Sequence, residues 1–200
     1  MLYLLYVTSG NIKDEKMKAV ILYDSSQPEE AEFIQQMLQD PPSGGLCQEL
    51  MDLGAEELKP CIGCFGCWVK TPGICVHRKD GGRAFLERIW NADYLIVVTR
   101  ILWGTYSTRV KQYFERTLPL LHPFFRKVNG EMHHRLRYRD YPALLTVGYG
   151  AADADEEQTF IRYTASHRDN ILSRRKGGTR IRSEESWAGT LAWITKEIEG

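Results

Sequence analysis

The sequence lacks a long hydrophobic run, a net charge and any low-complexity segment. Its longest apolar stretches, near the start and at residues 94–98, are far shorter than the roughly 20 residues that a membrane-spanning helix needs. The 26 basic residues equal the 26 acidic ones, so no overall field attracts nucleic acid or an anionic membrane. The first apolar stretch has neither a basic segment before it nor a small-residue cleavage site after it. We therefore expect a cytoplasmic protein with no membrane or nucleic-acid partner.

Several common catalytic signatures are also missing. The G-x-S-x-G, P-loop and H-E-x-x-H patterns do not occur, which argues against the common hydrolases and nucleoside triphosphatases. The five histidines are scattered and form no catalytic set, so the sequence identifies no catalytic residue. The 200 residues are 43% hydrophobic, which is enough for one globular domain of ordinary size.

Short continuous apolar runs alternate with amphipathic stretches along the chain. This alternation is typical of an α/β domain built around a parallel sheet. The domain is predicted to cover residues 17–200, and residues 1–16 are predicted to be an accessory N-terminal segment. The predicted strands cover residues 19–23, 48–53, 94–99, 142–147 and about 179–182. The predicted helices follow Gln27 and cover residues 83–91, 156–172 and 187–198, with a further helix around Val110, Tyr113 and Phe114.

Four local features carry further expectations. The first helix is predicted to place Phe33, Ile34, Met37 and Leu38 on one face, with Pro28 in its first turn. Ser26 and Glu29 have the spacing of a capping box. Cys47 is expected to be a buried strand residue, and residues 119–139 to be irregular.

Three predicted loops follow strands and should therefore share the carboxyl edge of the sheet, where α/β proteins bind ligands. They cover residues 24–28, 99–107 and 148–153. Ser25 and Ser26 precede a helix and offer an anion site. Aromatic and glycine residues in the other two loops suit a planar ligand; they are Trp103, Gly104, Tyr106, Gly148, Tyr149 and Gly150. The sequence thus predicts a site for a flat, phosphorylated molecule, with ordinary packing as the alternative.

Four of the five cysteines lie within fifteen residues, in a C-x2-C-x2-C-x7-C pattern. Cys61, Cys64, Cys67 and Cys75 have a spacing that suits a [4Fe–4S] cluster, because one compact loop must supply all four thiolates. Metal-free thiols and a zinc site are the two alternatives.

The sequence resembles a known family in three segments. K-P-C-I-G-C-F-G-C-W-V-K-T-P-G-I-C, T-R-I-L-W-G-T-Y-S and P-F-F-R-K-V-N-G-E-M-H-H are similar to the flavodoxin-like NAD(P)H-dependent FMN reductases, in their iron–sulfur flavoprotein branch. This resemblance covers most of the chain from Met17 onward. It implies a flavodoxin-like three-layer sandwich with a five-stranded parallel sheet in the order 2-1-3-4-5. It also implies a homodimer or homotetramer.

The resemblance further implies FMN, bound noncovalently at the carboxyl edge and reduced by NAD(P)H. By this likeness Ser25, Ser26 and Gln27 hold the phosphate. The ring is bordered by Arg100, Ile101, Leu102, Trp103, Gly104 and Thr105 on one side and by Gly148, Tyr149 and Gly150 on the other. Electrons then pass to an unidentified small-molecule or protein acceptor, by way of a [4Fe–4S] cluster if the cysteines hold one. The alternative is a non-enzymatic electron carrier that is reduced by ferredoxin.

The chain departs from the family in the loop that should hold phosphate. The family usually carries Gly, Asn and Thr with a basic residue there, whereas this loop is followed closely by Glu29, Glu30 and Glu32. These carboxylates would repel a phosphate, and the opposing attraction of the helix dipole is worth at most about 1–2 kcal/mol. Arg100 stands where the family more often has proline, and it would add positive charge beside the ring.

Overall fold

The protein is represented by a computed structural model, which describes residues 17–42, 46–55, 57–128, 130–138, 141–171, 173, 175–182 and 186–199. The predicted accessory segment, residues 1–16, lies outside the described residues. Among the described residues, no helix combines the length and the apolar composition needed to cross a membrane.

A five-stranded parallel sheet forms the centre of the fold, in the order β2-β1-β3-β6-β7. Counted along the chain, these are the first, second, third, fourth and fifth strands of that sheet, so the predicted order 2-1-3-4-5 is confirmed. The strands are β1 (Lys18–Tyr23), β2 (Cys47–Asp52), β3 (Tyr94–Arg100), β6 (Ala143–Tyr149) and β7 (Gly178–Ile181). The centre of the sheet consists of the most apolar runs, because central parallel strands are covered on both faces.

Helices cover both faces of the sheet and complete the predicted three-layer arrangement. Alternate side chains of each strand enter different cores, so Val20 and Leu22 belong to one and Ala19 and Ile21 to the other. The helices are α1 (Pro28–Gln39), α2 (Gly66–Val69), α3 (Gly82–Trp90), α4 (Thr108–Glu115), α5 (Ala154–Ile171) and α6 (Ala188–Glu199). Side chains of α3, α4 and α5 fill the first core, and side chains of α1 and α6 fill the second.

The expectation that residues 119–139 are irregular is wrong. An antiparallel hairpin of β4 (Leu121–Val128) and β5 (Glu131–Leu136) occupies most of this region as a separate two-stranded sheet. Its strands mix apolar residues with histidine and basic ones, and Pro123 interrupts the first strand near a break in the pairing register between Leu121 and Phe125. A strand that pairs on one side tolerates such a proline, whereas the apolar pattern used to find central strands is missing here.

Three local expectations also need correction. Cys47 is exposed, because it begins β2 at the edge of the sheet. Leu38 is exposed, whereas Phe33, Ile34 and Met37 are buried as predicted. Ser26 does not cap α1, since the residue at the cap is Gln27 and no side chain bonds there; Pro28 does lie in the first turn.

Phe33 provides a test of the second core. Its ring is inaccessible to solvent and packs edge-on against Trp187 at 4.9 Å between centroids. We expect Phe33→Ala to lower the free energy of unfolding by about 3–5 kcal/mol, because the lost contacts leave a cavity. Leu38→Ala, one turn further along the exposed side of the same helix, should change it by less than about 0.5 kcal/mol. Chemical denaturation of the two variants makes the comparison, and equal losses would contradict the assigned packing.

Candidate functional site

The three loops that the sequence placed at one edge do meet there. They follow β1, β3 and β6, which are adjacent in the sheet and end on the same side. The paired residues Thr99–Gly148 and Arg100–Tyr149 bring the second and third loops into register. This edge is therefore the place to look for a ligand site.

A buried carboxylate lies where the ends of these three strands converge. Glu30 is the third residue of α1, and its side chain is wholly inaccessible to solvent. Its Oε2 accepts a hydrogen bond from the backbone N–H of Asp24 at 2.6 Å, and its Oε1 accepts one from the Tyr149 hydroxyl at 2.8 Å. The backbone of Arg100 also hydrogen-bonds this carboxylate. Glu30 thus connects the ends of β1, β3 and β6.

The remaining backbone donors of the loop after β1 are also used by the protein itself. The N–H of Ser25 donates to Asp52 Oδ1 at 3.1 Å, and the N–H of Ser26 donates to Asp24 Oδ1 at 3.0 Å. The N–H of Gln27 donates to the carbonyl of Asp24 at 2.9 Å. The Ser26 hydroxyl donates to Asp24 as well, at 2.6 Å. All four N–H groups of residues 24–27 therefore already have acceptors, three of which are carboxylates.

Burial raises the pKa of Glu30 to about 7. The hydrogen bonds from Asp24, Tyr149 and Arg100 favour the charged form and oppose this rise, while the charge of Asp24 adds to it. Burial raises the pKa of Tyr149 as well, and the adjacent charge of Glu30 raises it further. The hydroxyl therefore keeps its proton and stays a donor to Glu30.

On the other side of the edge, the loop after β3 forms a tight turn. Leu102 and Thr105 exchange two backbone hydrogen bonds, both 3.0 Å long. The N–H of Gly104 donates to Glu156 Oε1 at 3.1 Å, which ties the turn to α5. Trp103 lies at the tip with its side chain 92% exposed and a φ of 56°, which is unusual for a residue other than glycine. The turn is thus a fixed platform that presents one aromatic side chain to solvent.

The sequence suggested that Gly104 allows close approach to a planar ligand, whereas in the structure it allows close approach to α5. Its φ is 68°, and a Cβ there would lie 2.4 Å from Cγ2 of Thr159. The close approach that it allows is therefore to α5. The expectation that Tyr106 offers a flat face is wrong, because its side chain is buried and its hydroxyl meets Nδ1 of His167 at 3.0 Å.

A cavity of about 570 Å3 lies between the loops after β3 and β6. This volume is within the range of small-molecule sites, roughly 300–1,000 Å3. The predicted site residues on its wall are Arg100, Ile101, Leu102, Trp103, Gly104 and Gly150, and sequence reasoning missed Ala152, Asp153, Asp155, Glu156 and Thr159. Asp155, Glu156 and Thr159 lie in the first two turns of α5, whose start the sequence placed two residues late, and Ala152 and Asp153 lie in the loop directly before it.

Two predicted residues of the loop after β6 face away from the cavity. The ring of Tyr149 points to the α1 side, where its hydroxyl meets Glu30. A Cβ on Gly148 would lie 2.5 Å from the Phe160 ring, so this glycine permits close packing of α5 against β6. Thr105 supports the platform through its hydroxyl, which donates to the carbonyl of Leu102 at 3.0 Å.

The cysteine segment, residues 60–82, lies beside the hairpin and is held by a buried ion pair. Arg116 Nη1 meets Asp80 Oδ2 at 2.6 Å and donates to the carbonyl of Lys59 at 2.6 Å. Burial alone would raise the pKa of Asp80, but the hydrogen bonds from Arg116, Lys59 and Gly82 lower it to about 2. This pair therefore stays charged throughout the physiological range and fixes both ends of the cysteine segment.

The four clustered thiols differ in exposure. Cys67 is buried, Cys64 is exposed, and Cys61 and Cys75 are intermediate. Burial raises the pKa of Cys67, and the nearby cysteines raise it further. Within the described residues, which include all five cysteines, no group of three or more His, Cys, Asp or Glu side chains is arranged to hold a metal ion. As arranged, the thiols do not fit a [4Fe–4S] cluster, which stays a prediction of the sequence.

Comparison with known proteins identifies the fold. No protein-family model matches the chain, and no curated protein sequence matches it. RosB, solved with 8-demethyl-8-formylriboflavin-5′-phosphate, has a TM-score of 0.59 at 13% identity, over 92% of this chain and 77% of that one. An azoreductase from Bacillus anthracis str. Sterne has a TM-score of 0.56 at 12% identity, over 92% of this chain and 95% of that one.

A third structure is an FMN-dependent NADH-azoreductase from Bacillus anthracis str. Ames Ancestor, solved in complex with FMN. Its TM-score is 0.54 at 14% identity, over 92% of this chain and 96% of that one. At these identities the similarity shows the fold alone. The chain has the flavodoxin-like α/β fold that the sequence predicted, and membership of the iron–sulfur branch stays a prediction.

The carboxyl edge of the sheet has space for the flavin ring of FMN, but its residues do not fit the phosphate. The cavity beside Trp103 is large enough and open enough to receive a planar ring. The loop that should hold the phosphate has no free backbone donor at residues 24–27, and three of its four acceptors are carboxylates. As they stand, Ser25, Ser26 and Gln27 do not fit a phosphate.

The role of Glu30 had a signal in the sequence. Glu30, Phe33, Ile34 and Met37 have the i, i+3, i+4, i+7 spacing of one helix face, and all four are buried. Glu29 and Glu32, the two neighbouring carboxylates, lie off this face and are exposed.

The raised pKa of Glu30 predicts a pH dependence of stability. The folded state keeps the proton up to about pH 7, whereas an unfolded chain releases it near the ordinary value of 4.5. The unfolding free energy should therefore be highest below pH 4.5 for this group and fall as the pH rises to 7. The shift corresponds to about 3 kcal/mol.

Denaturation of wild type and Glu30→Gln between pH 4.5 and 8 measures this contribution. The difference between the two proteins should shift in favour of the variant as the pH rises, because glutamine fills the same space without a charge. Glu29→Gln, which changes an exposed neighbour, should leave the pH profile as it is in wild type. A constant difference between wild type and Glu30→Gln would contradict the buried, raised-pKa carboxylate.

Proposed function

We propose that the protein is a flavin-dependent oxidoreductase that takes electrons from NAD(P)H and passes them to a small-molecule or protein acceptor. The observation that carries this proposal is the 570 Å3 cavity between the loops after β3 and β6, with Trp103 on its wall. It lies at the carboxyl edge of a parallel sheet, where proteins of this architecture bind cofactors. Proteins of the same fold include one named an FMN-dependent NADH-azoreductase.

The chain's own residues would bind and orient the flavin. Trp103 offers a flat apolar face at the mouth of the cavity, and its left-handed backbone keeps that face turned outward. Such a conformation costs about 1 kcal/mol or more and is held here by the Leu102–Thr105 turn and by Glu156. Arg100 is the basic residue of the cavity wall, which also carries Asp153, Asp155 and Glu156.

A bound flavin would supply the hydride and electron transfer chemistry, for which no side-chain acid or base is required. The protein's contribution is to hold the ring against the platform and to leave one face open for the nicotinamide. The proposed reaction requires neither the cysteines nor a phosphate bound at residues 25–27. A homodimer or homotetramer and a cytoplasmic location stay predictions of the sequence.

The proposal is tested by mixing the purified protein with riboflavin or FMN and following binding by flavin fluorescence. NADH and NADPH oxidation is then measured with a quinone and with ferricyanide as acceptors. Turnover should exceed that of the same concentration of free flavin. No binding of either flavin at micromolar concentration, together with no turnover, would refute the proposal. Binding with reduction by ferredoxin but not by NAD(P)H would favour the electron-carrier alternative.

Trp103→Ala tests whether the platform contacts the ring. Loss of one aromatic contact is worth about 1–1.5 kcal/mol, so flavin affinity should fall by about tenfold. The melting temperature should hardly change, since the side chain is exposed. Phe124→Ala removes an exposed aromatic side chain from the hairpin and serves as the matched control. An unchanged flavin affinity in Trp103→Ala would place the ring elsewhere.

A further inference from the structure

The buried carboxylate of Glu30 occupies the place where a ligand anion would be held. Its oxygens accept from the backbone of Asp24, from the backbone of Arg100 and from the Tyr149 hydroxyl. These donors come from the ends of β1, β3 and β6, where this sheet topology places its switch point. The side chain is wholly inaccessible, so it leaves no room for a second group.

The backbone donors of the loop beside Glu30, at residues 24–27, are already bound within the protein. The N–H groups of Ser25 and Ser26 are bound to Asp52 and Asp24, at 3.1 and 3.0 Å. The hydrogen bonds from Ser25 lower the pKa of Asp52 against the effect of burial, so this acceptor is a charged carboxylate. Two acidic side chains and Glu30 thus surround the loop, and an incoming phosphate would have to displace them from their donors.

A phosphate monoester carries about two negative charges near neutral pH, whereas the flavin ring and the ribityl chain carry none. Charges of like sign a few ångströms apart in a partly buried site change a binding constant by tenfold or more. The side chain of Arg100 lies on the cavity side near Gly150, and it forms no ion pair with the described carboxylates of the loop after β1.

We propose that Glu30 makes this site select flavins that lack a 5′-phosphate, of which riboflavin is the simplest, over FMN. The proposal rests on the proposed function, since it assumes that the cavity takes a flavin ring. Glu30 supplies the anion that the donors at the strand ends require. The ligand is consequently held through its ring in the cavity between β3 and β6, and its chain end stays free of charge contacts.

The test compares the binding of riboflavin and FMN to the full-length protein by fluorescence titration. Wild type should bind riboflavin at least tenfold more tightly than FMN. Glu30→Ser vacates the space of the carboxylate and frees the groups that donate to it. FMN affinity should therefore rise at least tenfold, while riboflavin affinity should change by less than about threefold. Glu30→Gln keeps the packing and removes the charge, so it should reduce the preference without abolishing it.

Inorganic phosphate provides a second readout that needs no flavin. At matched ionic strength against chloride, phosphate should raise the melting temperature of Glu30→Ser by about 2–4 °C and leave that of wild type unchanged. Glu29→Gln removes a charge of the same sign from the exposed side of the same turn. This control should retain the wild-type preference for riboflavin.

The outcomes separate this inference from the proposed function. FMN binding to wild type as tightly as riboflavin, or a preference that Glu30→Ser and Glu29→Gln alter equally, would overturn the inference and leave the flavin proposal standing. No binding of either flavin would overturn both.

Discussion

One carboxylate organises the end of the sheet at which a ligand would bind. Glu30 reaches from the first turn of α1 to donors at the ends of β1, β3 and β6. Each hydrogen bond to a charged group is worth about 1.5–3 kcal/mol, and together they reduce the cost of burying the carboxylate without cancelling it, because its pKa stays raised. The arrangement closes the loop after β1, because Asp24 and Asp52 then accept the remaining N–H groups. What can bind at this edge depends on that closure.

A second buried charge, that of Arg116, holds the C-terminal end of α4 in place. Arg116 follows this helix and is tied to Asp80 and to the carbonyls of Lys59 and His77. The N-terminal end of α4 is capped by Ser107, directly after the Trp103 platform, and the helix is about 12 Å long. The platform and the cysteine segment therefore contact opposite ends of α4.

Much of the fold could be predicted from the sequence because central parallel strands have a strong local pattern. The run at Tyr94–Arg100 is apolar and β-branched, and the strand order followed from the family resemblance. The hairpin at residues 121–136 escaped prediction, since its strands pair only with each other and carry polar side chains on much of their surface. Cys47 escaped because the position of a strand in the sheet, which decides its burial, is a long-range property.

The sequence predicted which loops meet at the edge, but it did not predict which acceptors their backbone donors have. Loops after adjacent parallel strands must share an edge, so Arg100, Trp103 and Gly150 were correctly brought to one place. Whether a loop N–H is free to bind a ligand depends on which side chains reach it, and Asp52 comes from another strand. The sequence of the loop alone therefore does not show that Asp52 is an acceptor for its N–H groups.

The position of Glu30 in the sequence indicates its role at the edge of the sheet. A glutamate in the first turn of an exposed helix face is favourable to the helix dipole and needs no explanation. Glu30 instead continues the buried stripe of Phe33, Ile34 and Met37, directly after a central parallel strand. A charge on that stripe must find donors at the end of the sheet, because burial without them costs several kcal/mol. Those donors are the ones that would otherwise hold a ligand's anion. The position of one acidic residue in a helical repeat thus indicates that the protein provides the anion itself.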